Sequence, residues 1–264
     1  MSDQKTYWPP LESNPETMEK FIKDIGVHGI RCEDVFGFDE ECLGFIPKPH
    51  YAMILCFPEY KNAYKIVEPH YDELKNKGFE HPENIFFMKQ KIGNACGTFA
   101  LLHSLSNLKD KIDIGTGSFA KWLEKAAPLS IEDRSDSLLH DSEMSQAHES
   151  CARSGETELG DDDVEHHFIT FLNIDGTLYE LDSQMDFARP IGPTTDETLF
   201  KDDLETVHSV LLHLLVMIKY FDLTFYQSSG SRRSLAVYFD ASFFMNALSS
   251  AFFKLLATKN SLAG

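Results

Sequence analysis

The chain has 264 residues and a mass of 30.0 kDa, enough for one large domain or two small ones. Its 42% hydrophobic and 12% aromatic residues can form a core, which excludes a disordered or fibrous chain. The formal net charge of −18 disfavours nucleic acid as a partner, because phosphates would be repelled, and favours a partner with basic groups.

The charge is unevenly distributed along the chain. Residues 1–205 carry 19 basic and 40 acidic side chains, whereas residues 206–264 carry five basic and two acidic ones. The uncharged run over 206–218 is shorter than the about 20 residues that a membrane span needs, so it predicts a buried helix. We therefore predict a first domain over 1–206. The atypical hydrophobic segment over 207–264 either completes that domain or is a tail that binds a membrane or a partner, or else residues 207–243 within it have a separate genetic origin.

The cysteines indicate the compartment. They stand at positions 32, 42, 56, 96 and 151, and none of them belongs to a Cys/His cluster with metal-ligand spacing. The polar N-terminus lacks the apolar core of a signal peptide. This combination predicts reduced thiols and no metal site in a cytoplasmic protein, with a nuclear location left open.

The hydrophobic pattern predicts helices and strands in mixed order. Asn14 or Ser13 caps a first helix, and Gly26 ends it. The acidic stretch over 146–165 has few aliphatic residues and is expected to be a mobile loop. The other predicted elements are strands over 51–57 and 84–88, helices over 95–105, 118–127 and 130–140, strands over 167–174 and 177–181, and a helix that begins at Asp196.

Cys96 has a setting that suits a nucleophile. It stands at the predicted start of a helix capped by Asn94, where free N–H groups and the helix dipole favour a thiolate. The next residue, Gly97, costs about 1 kcal/mol in a helix relative to alanine, which indicates that something approaches the backbone closely. A small buried structural cysteine fits the same pattern, so the sequence leaves both interpretations open.

The hairpin over 167–181 offers a base and an acid. If Asp175-Gly176 is its two-residue turn, alternation places His167 on the same face of the sheet as Asp182, one diagonal step of roughly 7–8 Å away. His166 falls on the opposite face. The geometry favours His167 as the partner of Asp182, although an incidental histidine–acid pair fits as well.

A cysteine nucleophile also needs donors for the negative charge of a tetrahedral intermediate. The backbone N–H of Cys96 can provide one, and the side-chain amide of Gln90 can provide another. No spacing rule distinguishes Gln90 from an ordinary surface glutamine.

Taken together, these residues resemble the ubiquitin carboxyl-terminal hydrolases of the short, single-domain type, which are papain-like cysteine proteases. Four motifs carry the resemblance in the family's order, over about residues 7–207: Trp8–Glu16, Met88–Thr98, His167–Asp182 and Thr194–Leu199. The resemblance implies that Cys96 is the nucleophile and His167 the general base. It also implies that Asp182 orients the base and that Gln90 donates to the oxyanion.

The resemblance further implies an α/β (α+β) fold with a central, mainly antiparallel sheet, helices on both sides and a knotted path. It places a mobile crossover loop over 142–165, which limits leaving groups to small adducts and short tails. The residues that it implies for ubiquitin binding are Pro10, Leu11, Glu12, Ser13, Asn14, Pro15, Ala152, Arg153, Ser154, Gly155, Glu156, Thr157 and Glu158. Ser183 stands where the family usually has glycine, so we expect a changed turn with Asp182 in place.

The implied activity is thiol-dependent hydrolysis of ester, thioester, amide or peptide bonds at the C-terminal glycine of ubiquitin. We expect a monomer that needs no cofactor, and the acidic chain suits the arginine-containing tail of ubiquitin. Two alternatives stay open from the sequence: a non-catalytic ubiquitin-binding protein and a hydrolase of a related ubiquitin-like modifier.

Overall fold

The computed structural model describes residues 6–36, 40–57, 60–155, 166–196 and 198–199. The buried helix expected over 206–218, the helix expected to begin at Asp196 beyond its first turn, and the whole segment over 207–264 lie outside the described residues.

A four-stranded antiparallel sheet forms the centre of the described part, in the order β1-β2-β3-β4. The strands are β1 (Ala52–Phe57), β2 (His167–Ile174), β3 (Thr177–Leu181) and β4 (Arg189–Pro193). The strands predicted over 51–57, 167–174 and 177–181 are thus confirmed. Strand β4 was missed because its two prolines argue against a strand, and it lies at the sheet edge, where proline is tolerated.

The hairpin between β2 and β3 has the predicted register. Ile174 pairs with Thr177, and Thr170 pairs with Leu181. Asp175 and Gly176 have φ angles of 51° and 82°, the positive values that a tight two-residue turn between twisted strands requires. The turn therefore fixes which side chains of the two strands share a face.

Seven helices are described: α1 (Pro15–Asp24), α2 (Glu40–Gly44), α3 (Tyr60–Asn76), α4 (Cys96–Asn107), α5 (Ser118–Ala126), α6 (Ile131–Leu139) and α7 (Ser142–Ala152). Asn14 caps α1 by accepting from the N–H of Glu16 at 2.8 Å, and Ser130 caps α6 by accepting from Asp133. The predictions of α1, α5 and α6 are confirmed. Helix α3 was not predicted, and its internal Pro69 is a residue that ordinarily argues against a helix.

The strand predicted over 84–88 is wrong. Residues 83–85 form a turn and a bend, and side chains of α4 bond the backbone of the residues that follow. Asn107 Oδ1 accepts from the N–H of Phe86 at 2.8 Å, and His103 Nε2 accepts from the N–H of Met88 at 3.0 Å. The hydrophobic run over 85–88 is buried, but these hydrogen bonds go to a helix rather than to a sheet.

The prediction of a mobile loop over 142–165 is wrong for the first half of that range, because residues there form α7. Asp141 caps this helix by accepting from the N–H of Met144 at 3.0 Å. Met144, His148 and Cys151 are buried at helical spacing, and α7 packs against α1. The second half of that loop, over 156–165, lies outside the described residues.

Hydrophobic clusters cover both faces of the sheet. On one face, Phe168 packs with buried side chains of α1, α4, α5, α6 and α7. On the other, Leu55, Phe57 and Phe171 pack with Leu43 of α2. The expected central antiparallel sheet with helices on both sides is confirmed, whereas the knotted path stays a prediction because residues 200–264 are not described. Among the described helices, none is long and apolar enough to cross a membrane.

Candidate active site

Cys96 is the first residue of α4 and is buried, with 7% of its surface exposed. The expectation that Asn94 caps this helix is wrong. Asn94 has a φ of 61°, a left-handed conformation that asparagine tolerates, and it turns the chain so that Ala95 becomes the cap residue. Ala95 has no side-chain oxygen and makes no capping bond to the first N–H groups of α4, where the helix dipole favours a negative charge.

The space around the glycine after Cys96 is tight, as the sequence indicated. A Cβ atom at Gly97 would lie 3.3 Å from Cβ of Leu11 and 3.5 Å from the ring of Phe168. The start of α4 is therefore held between the N-terminal segment and β2. The groups that approach the backbone at Gly97 are thus side chains of the protein itself.

His167 and Asp182 form a buried pair on one face of the sheet. Nε2 of His167 lies 2.8 Å from Oδ1 of Asp182, and each side chain is only 3% exposed. The same carboxylate oxygen accepts from the N–H of Gln184 at 2.9 Å and from the hydroxyl of Tyr64 at 3.4 Å. These bonds fix the carboxylate and, through it, the imidazole ring.

The imidazole of His167 connects the acid to the thiol. Burial alone would lower the pKa of His167, but the charge of Asp182, the hydrogen bond to it and a hydrogen bond with Cys96 raise that pKa to about 10. Because Nε2 is occupied by Asp182, Nδ1 is the nitrogen left for the sulfur. The rings of Phe57 and Tyr64 stand edge-on to the imidazole, each with a centroid separation of 5.8 Å. A histidine held in this way stays protonated at neutral pH and can stabilise a thiolate.

His166, the neighbouring histidine, is exposed and precedes β2. Its backbone carbonyl lies 4.0 Å from the sulfur of Cys96. The prediction that alternation selects His167 rather than His166 as the partner of Asp182 is thus confirmed by the geometry.

Gln90 lies in the loop before α4, where its side-chain amide is fixed at both ends. Its Nε2 donates to the carbonyl of Ile92 at 2.8 Å, and its Oε1 accepts from the hydroxyl of Ser183 at 2.9 Å. The backbone N–H of Gln90 also donates to the carbonyl of Ser183 at 2.7 Å. One N–H of the amide is left over for a further acceptor.

Three other cysteines have settings that oppose reactivity. Burial, together with nearby carboxylates, raises the pKa of Cys32 to about 12. Burial also raises the pKa of Cys56 to about 12 and that of Cys151 to about 11. These three side chains remain protonated at neutral pH, and a protonated thiol is a poor nucleophile.

The two segments predicted to bind ubiquitin lie next to each other. Gly155 packs against the side chain of Glu12, and Asn14 caps α1. Leu11 and Ala152 are buried, so their side chains support this surface from inside. Pro10, Glu12, Ser13, Pro15 and Gly155 are partly exposed, and Arg153 and Ser154 are exposed. The predicted residues Glu156, Thr157 and Glu158 lie outside the described part.

A family model described as "Ubiquitin carboxyl-terminal hydrolase, family 1" matches residues 8–211. The chain belongs to this family. It is 42% identical to a ubiquitin carboxyl-terminal hydrolase of Drosophila melanogaster over 197 residues, which cover 74% of this chain and 86% of the relative. It is 40% identical to the rat ubiquitin carboxyl-terminal hydrolase isozyme L1 over 195 residues, or 73% and 86% of the two chains.

A solved structure has the same fold. The catalytic domain of Trichinella spiralis UCH37, bound to ubiquitin vinyl methyl ester, superposes with a TM-score of 0.57 at 21% identity. The match covers 84% of this chain and 90% of the other. The ubiquitin carboxyl-terminal hydrolase family consists of deubiquitinating cysteine hydrolases, and this chain has that fold and that class of activity.

In this ubiquitin carboxyl-terminal hydrolase, two residues beside the site were missed from the sequence. Tyr64 reaches Asp182 from α3, an element that was not predicted. The sequence indicated Ser183 only as a residue that stands where the family usually has glycine. In the structure, its hydroxyl donates a hydrogen bond to Gln90. Asp182 stays in place beside it, as expected. The described residues contain no group of three or more His, Cys, Asp or Glu side chains arranged to hold a metal ion.

Proposed function

We propose that Cys96 is the nucleophile that cleaves the bond after the C-terminal glycine of ubiquitin. The observation that carries this proposal is the buried chain of contacts from Asp182 through His167 to Cys96, with a distance of 2.8 Å between the acid and the base. His167 acts as the general acid and base, and Asp182 holds its ring. Gln90 and the backbone N–H of Cys96 donate to the oxyanion.

The reaction proceeds in two steps that conserve atoms and charge. The Cys96 thiolate adds to the glycine carbonyl carbon, and protonated His167 gives its proton to the leaving amine or alcohol as the bond to it breaks. The product is a thioester between ubiquitin and Cys96. Neutral His167 then removes a proton from water, which attacks the thioester, and ubiquitin is released with a C-terminal carboxylic acid that gives its proton to solvent. The sulfur leaves as a thiolate beside the reprotonated imidazole.

Two properties of the chain support ubiquitin as the substrate. The net charge of −18 favours encounter with the basic tail of ubiquitin. The segments around Glu12 and Gly155, which the resemblance implies for ubiquitin binding, meet at one surface. The preference for small adducts and short tails, the monomeric state and the cytoplasmic or nuclear location are further parts of the proposal, and they rest on the resemblance and the composition.

Hydrolysis of ubiquitin carrying a fluorogenic amine at its C-terminus tests the proposal. We expect the full chain to hydrolyse this substrate, and we expect the rate of hydrolysis to fall by at least about a thousandfold in Cys96→Ala. The matched control is Cys32→Ala, which removes a thiol whose pKa is raised to about 12 and should leave turnover unchanged.

The same assay separates the alternatives. Binding of ubiquitin without turnover by folded wild-type protein would contradict the proposal and identify a non-catalytic ubiquitin-binding protein. Faster turnover of a ubiquitin-like modifier carrying the same amine would support the proposed mechanism but identify that modifier as the preferred substrate.

A further inference from the structure

The two residues after β3 serve both halves of the candidate site. Asp182 holds the imidazole of His167, and its neighbour Ser183 holds the carboxamide of Gln90. Ser183 is 1% exposed, so its hydroxyl has exchanged water for this contact. A buried hydroxyl without a partner would be costly, and this one has a defined acceptor.

The direction of the hydrogen bond follows from the chemistry of the groups. The carbonyl of Ile92 can only accept, so the atom of the Gln90 carboxamide that lies 2.8 Å away must be the nitrogen. The oxygen therefore faces Ser183 at 2.9 Å, and the hydroxyl of Ser183 must donate. If the carboxamide were flipped, two oxygens would face each other at Ile92.

Two physical effects follow for the remaining N–H of Gln90. The carboxamide is hydrogen-bonded at its oxygen and at one N–H, so its plane cannot rotate. Its second N–H therefore points in one fixed direction. A hydrogen bond accepted at the oxygen also polarises the amide and strengthens its N–H as a donor. Both effects assist a donor whose value depends on being oriented before the oxyanion forms.

The geometry points to Ser183 as a positioning residue that orients and polarises Gln90 for oxyanion stabilisation. This inference rests on the proposed role of Gln90. Ser183 acts only through Gln90 and touches none of the reacting atoms. The hydrogen bond between the backbone N–H of Gln90 and the carbonyl of Ser183, at 2.7 Å, is independent of the side chain. Removal of the hydroxyl therefore leaves the loop attached.

The test is a double-mutant cycle on hydrolysis of the fluorogenic ubiquitin amide by the full chain. We expect Ser183→Ala to lower kcat by about 3- to 10-fold, the range for one neutral hydrogen bond, with KM unchanged within about twofold. In a Gln90→Ala background, the same change should alter kcat by less than about twofold. Ser183→Gly also lacks the hydroxyl and should behave like Ser183→Ala.

Ser135→Ala is the matched control. Ser135 is also buried and donates to the backbone carbonyl of Lys89, the residue before Gln90, but it does not contact the carboxamide. Its kcat should stay within about twofold of wild type.

Four results would overturn the inference. One is an equal loss of kcat in Ser135→Ala, which would indicate general loosening of the loop. The second is the same about 3- to 10-fold loss of kcat when Ser183→Ala is added to the Gln90→Ala variant. The third is a rise in KM with kcat unchanged in Ser183→Ala. If Gln90→Ala itself left kcat intact, Gln90 would have no role and the inference would fail with it. Failure of the proposed function is a separate result, which Cys96→Ala reports.

Discussion

His167 and Asp182 lie one diagonal step apart on the same face of the sheet, with Nε2 and Oδ1 separated by 2.8 Å. This relationship depends on a turn of two residues, because one additional residue would move His167 to the opposite face. The pair is buried, which strengthens the electrostatic effect of the carboxylate on the imidazole. The protonation state of the candidate base is thus set by the register of the hairpin.

The two adjacent histidines provide a matched comparison. We expect His167→Ala to lower kcat/KM by about a thousandfold or more, because the thiol loses its proton acceptor. His166→Ala should stay within about twofold of wild type, because neighbouring side chains alternate in direction and His167, not His166, bonds Asp182. Steady-state kinetics on the fluorogenic ubiquitin amide measure both variants. A larger loss in His166→Ala than in His167→Ala would contradict the assignment.

The Asp182→Asn variant should change the pH dependence of hydrolysis. The charge of Asp182 contributes to raising the pKa of His167 to about 10, so activity that needs the imidazolium should fall only as pH approaches that value. Without the charge, this alkaline limb should move to lower pH, together with a fall in kcat of about a hundredfold or more. A kcat/KM profile between pH 6 and pH 10.5 measures the shift. An unmoved alkaline limb would contradict the electrostatic role.

Protonation of His167 should also stabilise the fold. Its folded pKa is raised above the ordinary value of 6.5, so the stabilisation is fully present below pH 6.5 and is lost as pH rises towards 10. The free energy of unfolding, measured by urea titration, should therefore fall over that range in wild type by more than in His167→Gln. Equal slopes in the two proteins would contradict the raised pKa.

His148 connects α7 to two parts of the site. Its Nε2 donates to the carbonyl of Pro9 at 2.7 Å, and its Nδ1 lies 2.7 Å from the hydroxyl of Thr98 on α4. Burial lowers the pKa of His148 to about 4. Because the unfolded state binds a proton at higher pH, the stability that neutral His148 contributes is present above pH 6.5 and is lost as pH falls towards 4.

We therefore expect His148→Gln, which cannot titrate, to be less stable than wild type at pH 7, by about 1–3 kcal/mol for the lost buried contacts. The difference between the two proteins should shrink as pH falls from 7 to 4.5. Urea titrations across this range measure it. A difference that stayed constant with pH would show that His148 does not titrate differently in the folded protein.

A buried ion pair joins β3 to β4 and α3. Arg189 donates to both oxygens of Glu180, at 3.1 and 2.6 Å, and Tyr71 donates to the same carboxylate at 2.9 Å. Arg189→Met should cost about 3–5 kcal/mol of unfolding free energy, because Glu180 would keep a buried charge without its partner. Lys109→Met, which removes an exposed pair with Asp110, should cost less than about 1 kcal/mol. Similar costs for the two variants would contradict this account.

The sequence predicted those parts of the site that depend on local rules. The start of α4, the two-residue turn and the alternation of β2 and β3 follow from neighbouring residues, and they bring Cys96, His167 and Asp182 together as expected. The four motifs added Gln90, which spacing alone could not distinguish from a surface residue.

The errors concern residues whose partners lie far away in the chain. The backbone of Phe86 and Met88 bonds side chains of α4, which no local pattern shows. Helix α7 has a polar composition with only a narrow buried face, so the sequence placed the whole of it in a loop. The contacts of Tyr64 with Asp182 and of Ser183 with Gln90 span 118 and 93 residues. Only the tertiary structure shows such contacts.

The most direct test of the central claim is the mass of the intact protein after reaction with ubiquitin that carries a vinyl ester electrophile at its C-terminus. The account predicts one ubiquitin adduct on the full chain, mapped by peptide sequencing to Cys96, and none on Cys96→Ala. An adduct that persisted on Cys96→Ala, or that mapped to Cys32, Cys56 or Cys151, would contradict it. So would the lack of any adduct on folded wild-type protein.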